Sequence, residues 1–163
     1  LEVSNGAVVP YMHNATAEGL GRIGVLVALE STADEAALVA LGKQVAMHIA
    51  ATSPASLSVE DLDADSVARE RDVLIEQAKA SGKPQEIAEK MVEGRMKKYY
   101  QEVVLLEQTS VIDGETRIAN VIANAGKAAG VDIALKAFVR FNLGEGVERE
   151  ESDFAAEVAA QLS

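Results

Sequence analysis

The chain alternates between two hydrophobic rhythms. Residues 7–13 (AVVPYMH) and 22–29 (RIGVLVAL) have the short apolar character of strands, and Ile23, Val25 and Val27 share one face of the second. NATAEGLG lies between them, polar and Gly-bearing, so a β-hairpin is predicted. The rhythm then changes to that of a helix. Thr32 and Glu35 have capping-box spacing, Leu38, Leu41 and Val45 form a stripe, and Pro54 stops a helix that runs to about residue 51. Residues 52–65 read as a polar, acidic connection.

Two further helices are predicted on either side of Ser81-Gly82-Lys83-Pro84, where Gly82 suits a helix end and Pro84 a helix start. Val67, Arg71, Leu74 and Ala78 share a face of the first, and Ile87, Met91 and Gly94 a face of the second. The flanks are charged, with Glu86/Lys90 and Glu93/Lys97 at i, i+4. A narrow seam with charged sides predicts an antiparallel two-helix arm. Residues 103–106 (VVLL) read as a short buried segment. Ile118, Val121, Ile122 and Ala125 mark a helix over residues 115–129 that stops at Gly130. Residues 138–143 (FVRFNL) alternate as a third strand, with Val139, Phe141 and Leu143 on one face. An acidic, Gly-bearing linker follows, and then a last short helix capped by Ser152 and carrying Phe154, Val158 and Leu162. That helix either folds back on its own core or docks into a partner. The predicted class is α+β: a small three-stranded antiparallel sheet packed with helices, with the helical hairpin inserted.

Composition narrows the functional classes. Of 163 residues 48% are hydrophobic but only 4% aromatic, so the core is aliphatic. The net charge of −11 argues against nucleic acid, whose phosphates need concentrated positive charge. There is no cysteine, hence no disulfide or thiolate site, and two histidines cannot build a His-rich metal site. No apolar run approaches the roughly 20 residues of a membrane span. No signal-peptide pattern is visible, and the start at Leu1 suggests a fragment or a processed chain.

The candidate chemistry is sparse. Gly19, Gly21 and Gly24 match G-x-G-x-x-G, but a strand follows where dinucleotide binding needs a helix. Asp61, Asp63 and Asp65 fail the calcium-loop pattern, because Ser66 and Asp72 occupy the positions that need Gly and Glu. His48 lies on or beside the buried stripe of its helix. It reads either as a core-edge histidine bonded to a carbonyl or as a partner contact at a helix end. No serine has the context of an activated nucleophile. A nucleotide-binding enzyme is therefore the weak alternative, and no cofactor is expected.

Residues 81–108, SGKPQEIAEKMVEGRMKKYYQEVVLLEQ, closely resemble the signature of the elongation factor Ts family. RIGVLVAL, KQVAMHIAATSP and FVRFNLGEGVEREESDFAAEVAAQ resemble further family segments in the same order. The resemblance runs from about residue 11 onward. It departs at Thr109-Ser110, where the family often has Pro-Phe, and in the hairpin connection of residues 11–21, which is longer than usual.

The resemblance implies a non-enzymatic guanine-nucleotide exchange factor that binds elongation factor Tu, GDP-bound or nucleotide-free, and promotes GDP release. It divides the chain into a C-terminal core subdomain (residues 1–65 and 102–146), an inserted coiled-coil arm (66–101) and a C-terminal module (147–163). It implies partner contacts at Met47 and His48 and at Asp153, Phe154 and Val158. The family's exchange motif, Thr-Asp-Phe-Val, is absent. Ser152-Asp153-Phe154-Ala155 looks similar but belongs to the C-terminal module. A bacterial cytoplasm is the expected location, with an organellar matrix or stroma as the alternative. A homodimer formed through the arm is the structural alternative to partner binding.

Overall fold

The computed structural model describes residues 1–15, 17 and 20–146. Their order is β1 (Gly6–His13), β2 (Ile23–Glu30), α1 (Glu35–Thr52), α2 (Ala64–Ala80), α3 (Gln85–Val103), a 3₁₀ turn (Leu105–Glu107), α4 (Ile118–Ala129) and β3 (Ala134–Asn142). The class is α+β, as expected. One antiparallel sheet has the order β1-β2-β3. The C-terminal helix predicted from Ser152 lies outside the described residues.

The sheet has two distinct faces. Ala7, Val9 and Tyr11 of β1 align with Leu29, Val27 and Val25 of β2, and these with Leu135, Phe138 and Arg140 of β3. This inner face packs on α1, whose Leu38, Leu41, Val45, Ala46 and Ile49 join Leu105, Ile118 and Ile122 in one aliphatic core. Gly42 allows the close approach: a Cβ there would stand 2.5 Å from Cγ2 of Val9. The low aromatic content is thus met by small and branched side chains interlocking between helix and sheet.

The third strand is longer than predicted. It starts four residues earlier and contains a β-bulge: Ala28 pairs with Ala137 and Leu29 with Leu135, leaving Lys136 extra. Val139 and Phe141 share a face, as their alternation indicates, but it is the outer one. There they align with Leu26, Pro10, Gly24 and Met12, and Phe141 is 64% exposed. The bulge lets Leu135 and Phe138, three residues apart, both reach the inner face.

α1 begins at a different cap from the predicted one. Asp34 is the N-cap, its carboxylate accepting from the Ala36 amide at 3.1 Å, and the Ser31 hydroxyl accepts from Ala33 N–H. Thr32 therefore lies outside the helix. Asp is as good a cap as Thr, and Ser31 already fixes the turn before it. The helix ends at Ser53 in a left-handed conformation.

α2 and α3 pack side by side across the four-residue link 81–84, as a helical hairpin with its own small apolar cluster of Leu74, Ala78, Val92 and Met96. Leu74 and Ala78 were anticipated, but the face of α3 was not. The buried face is Ala88, Val92 and Met96, whereas Ile87 is 48% exposed and a Cβ on Gly94 would meet nothing within 4 Å. Glu86 and Lys90 form their ion pair at 3.0 Å, and Arg95 donates to Gln77 across the hairpin. Residues 55–57, expected to be a simple connection, pair with the end of α3 instead: Ala55 N–H donates to Val103 O, and Leu105 and Leu106 N–H to Ser56 and Leu57 O. This pairing ties the base of the hairpin to the core.

Candidate partner-binding surface

The last two turns of α1 carry the centre of the candidate site. His48 is 0% exposed among the apolar residues of α1. A buried ring must satisfy both its nitrogens. Nδ1 accepts the Val111 backbone N–H at 3.2 Å, so the proton resides on Nε2, which donates to Gln108 Oε1 at 2.9 Å. Gln108 is itself buried, and its amide donates to Glu102 O at 2.7 Å, which sets its orientation. The Thr52 hydroxyl lies 2.9 Å from His48 O and 3.1 Å from Gln108 Oε1, able to donate to either. Desolvation pushes the His48 pKa below its usual value, opposed in smaller part by the Gln108 bond. The ring is therefore neutral, and it cross-links α1, the end of α3 and the segment after the 3₁₀ turn.

That segment is a compact turn. Ser110 N–H donates to Thr116 O at 2.8 Å, Gly114 N–H to Ser110 O at 2.9 Å, and the Ser110 hydroxyl accepts from Ile112 N–H at 3.2 Å. Asp113 accepts from the Glu115 and Thr116 amides. Bonding to Thr116, first through its side chain, holds the exposed Asp113 carboxyl below its ordinary pKa. Gly114 supplies the left-handed residue at φ 71°. The turn leaves Val111 and Ile112 each 49% exposed, although its backbone is fixed by the hydrogen bonds to His48, Ser110 and Asp113. Met47, next to His48 in α1, is also exposed.

Met47 and His48 thus point opposite ways, one outward and one into the protein. Asp153, Phe154 and Val158 lie outside the described residues. The sequence reading missed Gln108, Thr52, Val111 and Ile112. The available signal was Val111-Ile112 before Asp113-Gly114: two apolar side chains entering a turn, where polar residues are the rule.

Other chemistry finds little support among the described residues. No group of three or more His, Cys, Asp or Glu is placed to hold a metal. Gly21 and Gly24 precede and enter β2, and a Cβ on Gly21 would stand 2.8 Å from His13 O. Those glycines belong to hairpin packing, with no helix N-terminus after them. No helix among these residues is long and apolar enough to cross a membrane.

The family model described as Elongation factor TS matches residues 1–145. The chain belongs to the elongation factor Ts family. Three proteins named Elongation factor Ts are among its relatives. That of Rhodospirillum rubrum is 63% identical over 162 residues, covering 99% of this chain and 52% of the relative. That of Rhodospirillum centenum is 60% identical, covering 98% and 52%, and that of Sphingopyxis alaskensis 59%, covering 98% and 52%. The chain spans about half the length of the elongation factor Ts proteins it matches. The signature at residues 81–108 therefore led to the right family, one named for the elongation step of protein synthesis.

Proposed function

We propose that the chain is the elongation factor Tu-binding part of an elongation factor Ts-type guanine-nucleotide exchange factor. The observation that carries the reading is the turn bearing Val111 and Ile112. It is rigid, apolar and exposed, and its backbone is bonded to the buried His48. A pre-ordered apolar tip binds without the entropy cost of ordering a loop. In this reading Met47, Val111 and Ile112 touch Tu, and His48 acts from beneath by holding the turn. Asp153, Phe154 and Val158 of the C-terminal module add a second contact.

The same reading divides the chain into a core subdomain (1–65 and 102–146), a coiled-coil arm (66–101) and the module (147–163), and places it in the cytoplasm. A protein that binds nucleotide-free Tu more tightly than Tu·GDP must weaken GDP by the same factor. Without a Thr-Asp-Phe-Val segment, this chain should retain binding to Tu and lose most of the promotion of GDP release. No step in the role calls for a catalytic group or a cofactor.

Calorimetry with Tu·GDP tests the reading. Val111→Asp and Ile112→Asp should each weaken binding by about tenfold or more, as loss of a central apolar anchor does. Phe154→Ala should weaken it independently. Unchanged affinity in both turn variants, with the fold intact, would remove the turn from the interface.

A second reading has its own observation. Ile87 and Gly94 are exposed on α3, with the half-buried Met91 between them and the buried face, and this stripe is available for pairing with a second copy. A dimer mass in solution without Tu, abolished by Ile87→Ser, would support it.

A further inference from the structure

The two sides of the α2–α3 seam are not alike. On one, Arg95 of α3 donates to Gln77 of α2 and bridges the helices. On the other a groove runs between them, with Ile75, Ala78, Ala88 and Val92 along its floor. Its lining positions run from 71 to 79 on α2 and from 85 to 93 on α3, each about 12 Å at the helical rise, a little over two turns. The two alanines keep the floor low. The edges carry opposite signs: Arg71 and Lys79 along α2, with Lys83 in the link, and Glu89 and Glu93 along α3. Among the described residues Arg71, Lys83 and Glu93 form no ion pair.

Shape and charge together define what fits. A phosphate backbone or an anionic bilayer calls for one sign of charge, and here the sign changes across the groove. An extended peptide needs free backbone groups to pair with, but the walls are helices whose interior N–H and C=O groups already bond within each helix. A helix brings its own backbone bonds and lays a narrow apolar stripe on a narrow apolar floor. A second copy offering the same groove brings two concave faces together, which do not fill one another, and one offering a different face builds an open chain of molecules. A third helix also supplies what the hairpin lacks, since its own cluster has only Leu74, Ala78, Val92 and Met96 buried.

We propose that this groove receives one amphipathic helix of a partner protein, with an apolar stripe of small residues, carboxylates along the edge over α2 and cations along the edge over α3. The rule fixes the composition of the two edges, and the order of the edges around the stripe then sets the direction of the helix. The groove lies on the hairpin and the Val111–Ile112 turn outside it, so the assignment stands or falls independently of Tu binding.

Fluorescence anisotropy of three labelled synthetic helices tests this on the whole chain. All share one Ala/Leu stripe; one has Glu on one edge and Lys on the other, one has Glu on both, and one has Lys on both. The mixed helix should bind at least roughly tenfold more tightly than either of the others, the weight of several edge contacts. Ile75→Asp should abolish that binding. Because Ile75 also packs on the hairpin's own cluster, an exposed pair provides the second test. Glu89→Lys with Glu93→Lys makes both edges basic and should shift the preference to the all-Glu helix. Equal affinities for the three helices, no binding of the mixed helix up to about millimolar concentration, or a preference unmoved by the double variant would each overturn the proposal. A dimer of the free chain that Ile75→Asp converts to monomer would give the groove to a second copy and overturn it as well.

Discussion

The sheet with α1 and the α2–α3 hairpin solve the same packing problem with very different reserves. Around α1, thirteen buried residues from sheet, helices and 3₁₀ turn interlock in one cluster. The hairpin closes on four. Each core position has several neighbours from different elements, so the core's geometry is over-determined. The hairpin's geometry depends on one seam, and its exposed ion pairs Glu76–Lys79 and Glu86–Lys90 lie within single helices and contribute little each. The lesson concerns what each region can present. The core can hold a fixed tip such as Val111-Ile112, whereas the hairpin offers a long surface with lower local stability.

The comparison breaks most sharply in the core. Leu29→Ala, at a side chain with no exposure in the middle of the sheet, should cost about 3–5 kcal/mol and lower the melting temperature of the whole protein. Val92→Ala in the hairpin should cost less, about 1–2 kcal/mol, because the seam can close over a smaller void. Hydrogen exchange should show α2 and α3 opening while sheet amides stay protected. Global unfolding of Val92→Ala in one step with the sheet would refute the distinction.

His48 lies between these extremes. Gln108→Leu leaves its Nε2–H without an acceptor and should cost about 1–3 kcal/mol by chemical denaturation. The pH dependence has a definite sign. The folded pKa lies below the ordinary 6.5, so the unfolded state binds the extra proton. Stability from the neutral ring is complete above about 6.5 and is lost as the pH falls from there toward the folded value. His48→Phe should flatten that part of the pH–stability curve. The smallest effect belongs to Ile87→Ser on the outside of α3, within about 0.5 kcal/mol of wild type. A larger loss would mean that this face is buried against something in solution.

These contrasts also explain what the sequence made legible. β1, β2, the stripe of α1 and the stop at Gly130 were readable, because each couples an unambiguous period with a turn residue. α3 was not. Ile87/Met91/Gly94 and Ala88/Val92/Met96 are both helical stripes, and hydrophobicity favours the one with isoleucine. Only the partner helix decides, and it buries Ala88, Val92 and Met96 against Leu74 and Ala78. β3 was half legible: its alternation was correct, but the bulge at Lys136 has no local marker. His48 read as a core-edge residue from its spacing and as an interface residue from the family resemblance, and the structure buries it inward beneath an outward turn. Linking Gln108 and Val111 to it needed contacts 60 and 63 residues apart.

The two outer strands of the sheet have one more consequence. β1 carries Pro10 at its middle, a residue with no N–H to offer a neighbour, and β3 is kinked by the extra Lys136. A flat edge of this apolar composition would be a template for lateral growth into fibres. Here one margin lacks a donor and the other is bent and charged. The protein's colloidal behaviour at high concentration, and its yield on refolding, should therefore depend on these two residues, neither of which contributes to the core.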